Sequence, residues 1–312
     1  MRAAMGSKRE LARALLYIAL IGLFLWWPLT GLLMGSFNLL DLFAEARSWG
    51  AALMFFSGAT IASATAVGGG MIFNPTLQWA FSVAGYSSLF LAILVQCMGM
   101  TSGSYGWYRK GMFAAIDKTA LMRLMVLGIV CTAIFSGLLV WAWQKQIGFL
   151  PPMMKLGSLV ISLYVAFLMW QEIRQERRHG ERISEDWQMD GRIVVWVILG
   201  SLMNVFTAVG AGQLLFSHLI KYYQAPPRTA VAVGTLLQAV CVLTQACIMV
   251  FFMGDLVLVE LLCIGLFFCM AGGRLAPYIL SWPLFLPYVK PLLGLTALAM
   301  GLTTGIMLIF SL

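Results

Sequence analysis

Between Arg47 and Arg109 the chain carries no Asp, Glu, Lys or Arg, and the uncharged run 48–108 is too long for any one buried element of a soluble protein. Further charge-free runs cover 14–40, 124–144, 156–171, 193–220, 229–254, 261–273 and 291–312. Most reach the roughly 20 apolar residues that a helix needs to cross a bilayer. The composition agrees, at 61% hydrophobic and 10% charged with mean hydropathy +0.91. In hydrocarbon every backbone polar group must be satisfied within the protein, so the expected fold is an all-α integral membrane protein.

The remaining composition fits that reading. The net charge of +8 sits in short loops beside apolar runs, where it orients spans; nucleic acid is not expected as a partner. Arg2, Lys8, Arg9 and Arg13 precede a run that reaches Trp26-Trp27-Pro28 without a small-residue cleavage site, so 14–40 reads as a retained first span rather than a signal peptide. Six cysteines (Cys97, Cys131, Cys241, Cys247, Cys263 and Cys269) lie in apolar segments without CxxC spacing and read as small core residues. No cofactor is expected, and the apolar segments offer no nucleophile with its base, paired carboxylates or metal cluster, so an enzyme is not expected.

Three glycines and a proline interrupt the longest run in "TAVGGGMIFNPTL", residues 65–77. A glycine patch in a membrane helix often marks close helix packing. Here, however, residues 207–219 read "TAVGAGQLLFSHL", and a shift of 142 places Thr65, Ala66, Val67, Gly68 and Gly70 on Thr207, Ala208, Val209, Gly210 and Gly212. The same shift carries Gly58 onto Gly200, Leu77 onto Leu219 and Gln96 onto Gln238. This is an internal duplication.

Charge decides how the duplicated segments lie. If 49–82 and 193–223 each crossed once, nine spans would divide the Lys/Arg evenly, 10 inside and 10 outside. If each instead enters, breaks at its glycines and returns, about seven transmembrane helices remain, with 17 Lys/Arg on the cytoplasmic side and 3 outside (Arg47, Lys145, Lys155). The N-terminus is then cytoplasmic. The organisation reads as a basic tail and additional span in 1–47, a first repeat in 48–171 with the broken hairpin 49–82, a charged cytoplasmic connector in 172–192, and a second repeat in 193–312 with the broken hairpin 193–223. The hairpins dip from opposite sides, an inverted repeat. Helices broken at matching places of two inverted halves point to a transporter's central site. The helices that resume from about Met71 and Gln213 would aim two positive dipole ends at the midplane, where an anion binds without a buried cation.

The glycine turn followed by Pro75 and Leu77, the "YGWYRKG" turn at 105–111, "GAGQLL" in the second half and "GGRLA" at 272–276 together resemble the sulfite exporter TauE/SafE family over roughly 48–310. That resemblance implies a two-halved transporter of the cell inner membrane that exports small anions, most often sulfite or an organosulfonate. The expected partners are that anion and the lipid bilayer, with a homodimer left open. An anion channel, a membrane subunit of a larger complex and an ion-coupled anion importer are the alternatives.

The substrate-binding candidates are Gly68, Gly69, Gly70, Asn74, Gln96, Gly210, Ala211, Gly212, Gln213 and Gln238. Gln96 and Gln238 are symmetry partners in the spans after the hairpins, and each reads as a substrate contact or as interhelical glue. Asn74 and Gln213 read as anion donors or as caps of the resumed helices. Ser63, Thr65, Asn204 and Thr207 either line the approaching limbs or bond their own helix backbone. His218 reads as a proton relay or as an interfacial hydrogen-bonding residue. Arg274 reads as an anion-steering residue or as a snorkelling one. Asp41, Asp117, Asp255 and Glu260 all fall at span ends or in loops, so membrane potential rather than a proton is the expected driving force.

Overall fold

The structure is a computed structural model that describes residues 46–83, 85–114, 116–145, 150–179, 190–253, 259–281 and 288–309. Ten helices occur among these residues: α1 (Ala46–Thr65), α2 (Gly70–Ala80), α3 (Gly85–Arg109), α4 (Lys118–Gln144), α5 (Leu150–His179), α6 (Gly191–Thr207), α7 (Ala211–Tyr223), α8 (Pro227–Met253), α9 (Val259–Ser281) and α10 (Val289–Ile309). No strand is found among the described residues. Four of these helices, α3, α4, α8 and α9, contain stretches long and apolar enough to cross a membrane, and α6 is a shorter apolar helix. The expected span 14–40 and residues 180–189 of the connector 172–192 lie outside the described residues.

The first five helices correspond to the last five. Moved on by 142, Gly85 at the start of α3 falls on Pro227 at the start of α8, and Gly70 at the start of α2 falls on Gly212 in the first turn of α7. The side-chain contacts repeat as well. Ala59 of α1 meets Gly99 of α3, where a Cβ would sit 3.2 Å from the Ala59 methyl, and the equivalent Ser201 Oγ of α6 lies 3.9 Å from Cys241 Sγ of α8. Ser63 approaches Gly103 one turn further along both helices, so α1 and α3 run parallel. Asn204 bonds Gln245 one turn beyond Ser201 and Cys241, so α6 and α8 run parallel too.

The halves are interlocked rather than side by side. Helix α9 packs on α1 and α3 of the first half, and α4 packs on α6 and α8 of the second. Small residues permit the first of these contacts. Gly273 lies directly against the Gly99 carbonyl and Gly272 against the Phe56 carbonyl, so that a methyl at either place would strike backbone. Polar groups reinforce the seam: Ser102 Oγ donates to Met270 O at 2.8 Å, and Thr60 Oγ1 lies 3.1 Å from Gly272 O.

Helix α4 shows how the sequence divides between partner and lipid. Val126, Val130, Ile134, Leu138 and Trp141 recur at helical spacing and are exposed, whereas Leu124, Gly128, Cys131 and Leu139 are buried on the opposite side. An apolar stripe that no protein covers is what a bilayer-facing helix requires. The N-terminus of α4 is fixed by Asp117, whose carboxylate accepts from Thr119 N at 2.9 Å and Ala120 N at 3.3 Å.

Candidate functional site

Both broken hairpins turn in the same way. After α1 the chain passes through Ala66 at φ 54° and Gly68 at φ 90°; after α6 it passes through Ala208 at φ 60° and Gly210 at φ 132°. Gly68 and Gly210 supply conformations closed to most residues. The two alanines take the left-handed region at a steric cost. Thr65 and Thr207 bond back to Ile61 O and Met203 O, each at 2.8 Å, and so end their helices with their own hydroxyls engaged. The helices resume at Gly70 and Ala211, slightly earlier than Met71 and Gln213.

The first turns of α2 and α7 carry backbone N–H groups without helical acceptors. In each, one such group is met by the glutamine 26 residues ahead. Gly70 N donates to Gln96 Oε1 at 2.6 Å, and Gly212 N donates to Gln238 Oε1 at 2.9 Å. The symmetry partners therefore hold equivalent positions, one at each resumed helix. Both glutamines are buried, at 1% and 0% exposure.

The two turns touch. A Cβ at Gly70 would overlap the Ala208 methyl and lie 2.7 Å from Ala208 O, while one at Gly212 would lie 2.7 Å from Ala66 O. Gly68 sits beneath both amides: its Cβ position lies 3.0 Å from Gln96 Nε2 and 3.1 Å from Gln238 Nε2. Thus Gly68, Gly70, Gly212, Gln96 and Gln238 come together, with Ala66 and Ala208 added. The other candidate glycines serve their own hairpins. Gly69 and Gly58 both accommodate the Phe73 ring, and Gly200 makes room for the Ala211 backbone at 2.8 Å. Gly210 lies against Met203 and Gly200 of α6.

The polar surroundings differ between the halves. Gln238 Nε2 donates to Asn204 Oδ1 at 2.5 Å, Asn204 Nδ2 to Gln245 Oε1 at 3.1 Å, and Gln245 Nε2 to Val205 O at 2.7 Å. Gln245 has no counterpart in the first half, where Gly103 stands, which is why a search of repeated positions misses it. Gln96 Nε2 is buried without a hydrogen-bond partner, and so are both amide atoms of Gln213 in the first turn of α7. Asn74 is placed elsewhere: its Oδ1 accepts from Ser88 Oγ at 2.6 Å and Gln78 Nε2 at 2.8 Å, joining α2 to the start of α3.

Ser63 spans three helices, since its carbonyl accepts from Trp107 Nε1 at 3.2 Å and Thr235 Oγ1 at 3.4 Å. His218 is buried between the rings of Trp196, at 3.9 Å, and Tyr222, at 4.8 Å. Arg274 lies over the Tyr105 ring at 4.6 Å. Neither touches the paired turns through any of these contacts.

No Asp, Glu, Lys or Arg is buried among the described residues. The polarity at the paired turns therefore comes from helix ends, peptide groups and the two glutamine amides. No curated protein and no solved structure matches the chain. Residues 50–307, however, match the family described as sulfite exporter TauE/SafE. With nearly the whole described bundle inside that match, the chain belongs to the sulfite exporter TauE/SafE family of membrane anion transporters.

Proposed function

We propose that this protein exports a small anion, sulfite or an organosulfonate, across the cell inner membrane, binding it between the N-terminal ends of α2 and α7. The observation that carries this reading is the repeated capping of Gly70 and Gly212 by Gln96 and Gln238, which assembles two helix ends and two amides around Gly68. The proposed layout has about seven spans and two re-entrant hairpins, with the N-terminus cytoplasmic. The parallel course of α1 with α3 and of α6 with α8 supports it, because α2 and α7 then return to the side from which each hairpin came.

Export needs no coupled ion in this scheme. An anion leaving a cell that is negative inside gains about 2.3 kcal/mol per charge per 100 mV, a gradient of roughly fiftyfold. The test is sulfite efflux from proteoliposomes under a valinomycin potential, at equal pH and without Na⁺. Saturable efflux that rises with the potential is expected. Flux that never saturates would indicate a channel and overturn the carrier reading. Flux that ignores the potential but follows a proton or sodium gradient would replace export by ion-coupled transport.

A further inference from the structure

The duplication gives the two halves the same glutamine but not the same surroundings. In the second half the amide of Gln238 belongs to a closed chain: Gly212 N–H, Gln238, Asn204, Gln245 and the Val205 carbonyl. Each amide in it donates and accepts, and Asn204, Gln238 and Gln245 are all fully buried. Turning any one of them over would set donor against donor. A network satisfied throughout holds its members in one orientation.

In the first half the positions equivalent to Asn204 and Gln245 are Ala62 and Gly103, which have no polar side chain to offer. Gln96 Oε1 is held by the Gly70 N–H, yet its Nε2 is buried without an acceptor. That nitrogen stands over Gly68, 3.0 Å from the place a Cβ would take. Buried donors are seldom left without a partner, and the exceptions call for an explanation. A ligand that offers only acceptors supplies one here, and an oxyanion is such a ligand.

We propose that the two glutamines divide the work: Gln96 donates its Nε2–H to an oxygen of the bound oxyanion, while Gln238 is a positioning residue fixed by Asn204 and Gln245. This rests on the anion-carrier reading above. Binding then satisfies the first half without disturbing the second, and the asymmetry gives the symmetric scaffold one responsive side and one rigid side.

The test is the thermal shift of the purified full-length chain titrated with sulfite, thiosulfate, sulfoacetate and nitrate. At least one of these is expected to stabilise the wild type. Gln96→Met keeps the shape and removes the amide, and is expected to raise the half-saturating concentration about 10- to 100-fold, the range for losing one hydrogen bond to a charged group. Gln96→Glu keeps an acceptor for the Gly70 N–H but repels the anion, so it remains informative if the methionine variant fails to assemble, and an equal or larger loss is expected. Gln245→Ala is expected to lower the anion-free melting temperature and to raise the half-saturating concentration by less than Gln96→Met does, because it loosens Gln238 without removing a donor to the anion. An unchanged response in either Gln96 variant would overturn the division of labour and spare the carrier reading. If Gln245→Ala weakens binding as much as Gln96→Met, the division again fails. A wild type that responds to none of the four anions would sink both.

Discussion

The contact between the two turns makes Gly70→Ala a sharp probe. A methyl at Gly70 would overlap the Ala208 methyl and lie 2.7 Å from Ala208 O and 2.8 Å from Gln96 Oε1. Carbon atoms prefer separations of about 3.5–4.0 Å, so the turns must part by about an ångström. Overpacking of this kind costs about 1–3 kcal/mol, and the upper end applies because the neighbours are backbone and Cβ atoms that cannot rotate away. Parting the turns also weakens the Gly70–Gln96 hydrogen bond, worth about 0.5–1.5 kcal/mol. The total is about 2–4 kcal/mol, a loss of roughly 30- to 700-fold in the population with the turns closed. Sulfite flux should fall accordingly, and the purified protein should melt several degrees lower. Ala208→Gly removes the colliding methyl at a position whose φ is 60°, where glycine is at ease. The double variant should therefore recover at least about 1 kcal/mol relative to the sum of the single changes. Wild-type flux and melting in Gly70→Ala, or strictly additive effects in the pair, would refute the claim that the turns are in contact.

Two further outcomes test the layout and one helix end. Gly85 and Gly191 are exposed positions where an added side chain meets nothing within 4 Å. Cysteine placed at 85 should label from outside and cysteine at 191 from the cytoplasm; labelling of position 85 only from the cytoplasm would make the first hairpin a full crossing. Asp190 caps α6, accepting from Arg192 N and Ile193 N at 3.0 Å each, so Asp190→Ala should cost about 0.5–2 kcal/mol in a melting assay at neutral pH. The neighbouring Tyr223 hydroxyl and these N–H groups hold the Asp190 carboxyl below its usual range. Its stabilisation is therefore present at neutral pH and is lost as the pH falls through the acid range, so the gap between wild type and variant should close there. A gap that widens on acidification would contradict this.

The sequence made the duplicated turn legible because the glycine spacing, with the Thr-Ala-Val before it, is specific enough for "TAVGGG" and "TAVGAG" to align without a gap. It made Gln96 and Gln238 legible for the same reason. What each glycine does was not readable from spacing. Gly68 and Gly210 turn the chain, but Gly70 and Gly212 are small because the opposite hairpin presses on them, and Gly69 yields to Phe73. Those reasons belong to tertiary contacts. Gln245 left no signal, since nothing about a lone glutamine in an apolar run tells which helix it will bond. The partners of Asn74 were equally hidden, because Ser88 lies across a loop whose path the sequence does not dictate.

The crossing of α4 and α9 between halves bears on what either half could be by itself. A protein consisting of the first five helices alone would leave α1 and α3 without α9 and leave its own α4 without a seat. A five-helix chain of that kind would be complete only as a pair of copies, each lending its fourth helix to the other. In that pair both copies would necessarily be identical, so a chain such as Asn204–Gln245 would stand in both or in neither. A single chain that carries both halves is free of that identity, so the Asn204–Gln245 pair can stand in the second half alone, with Ala62 and Gly103 at the matching places of the first.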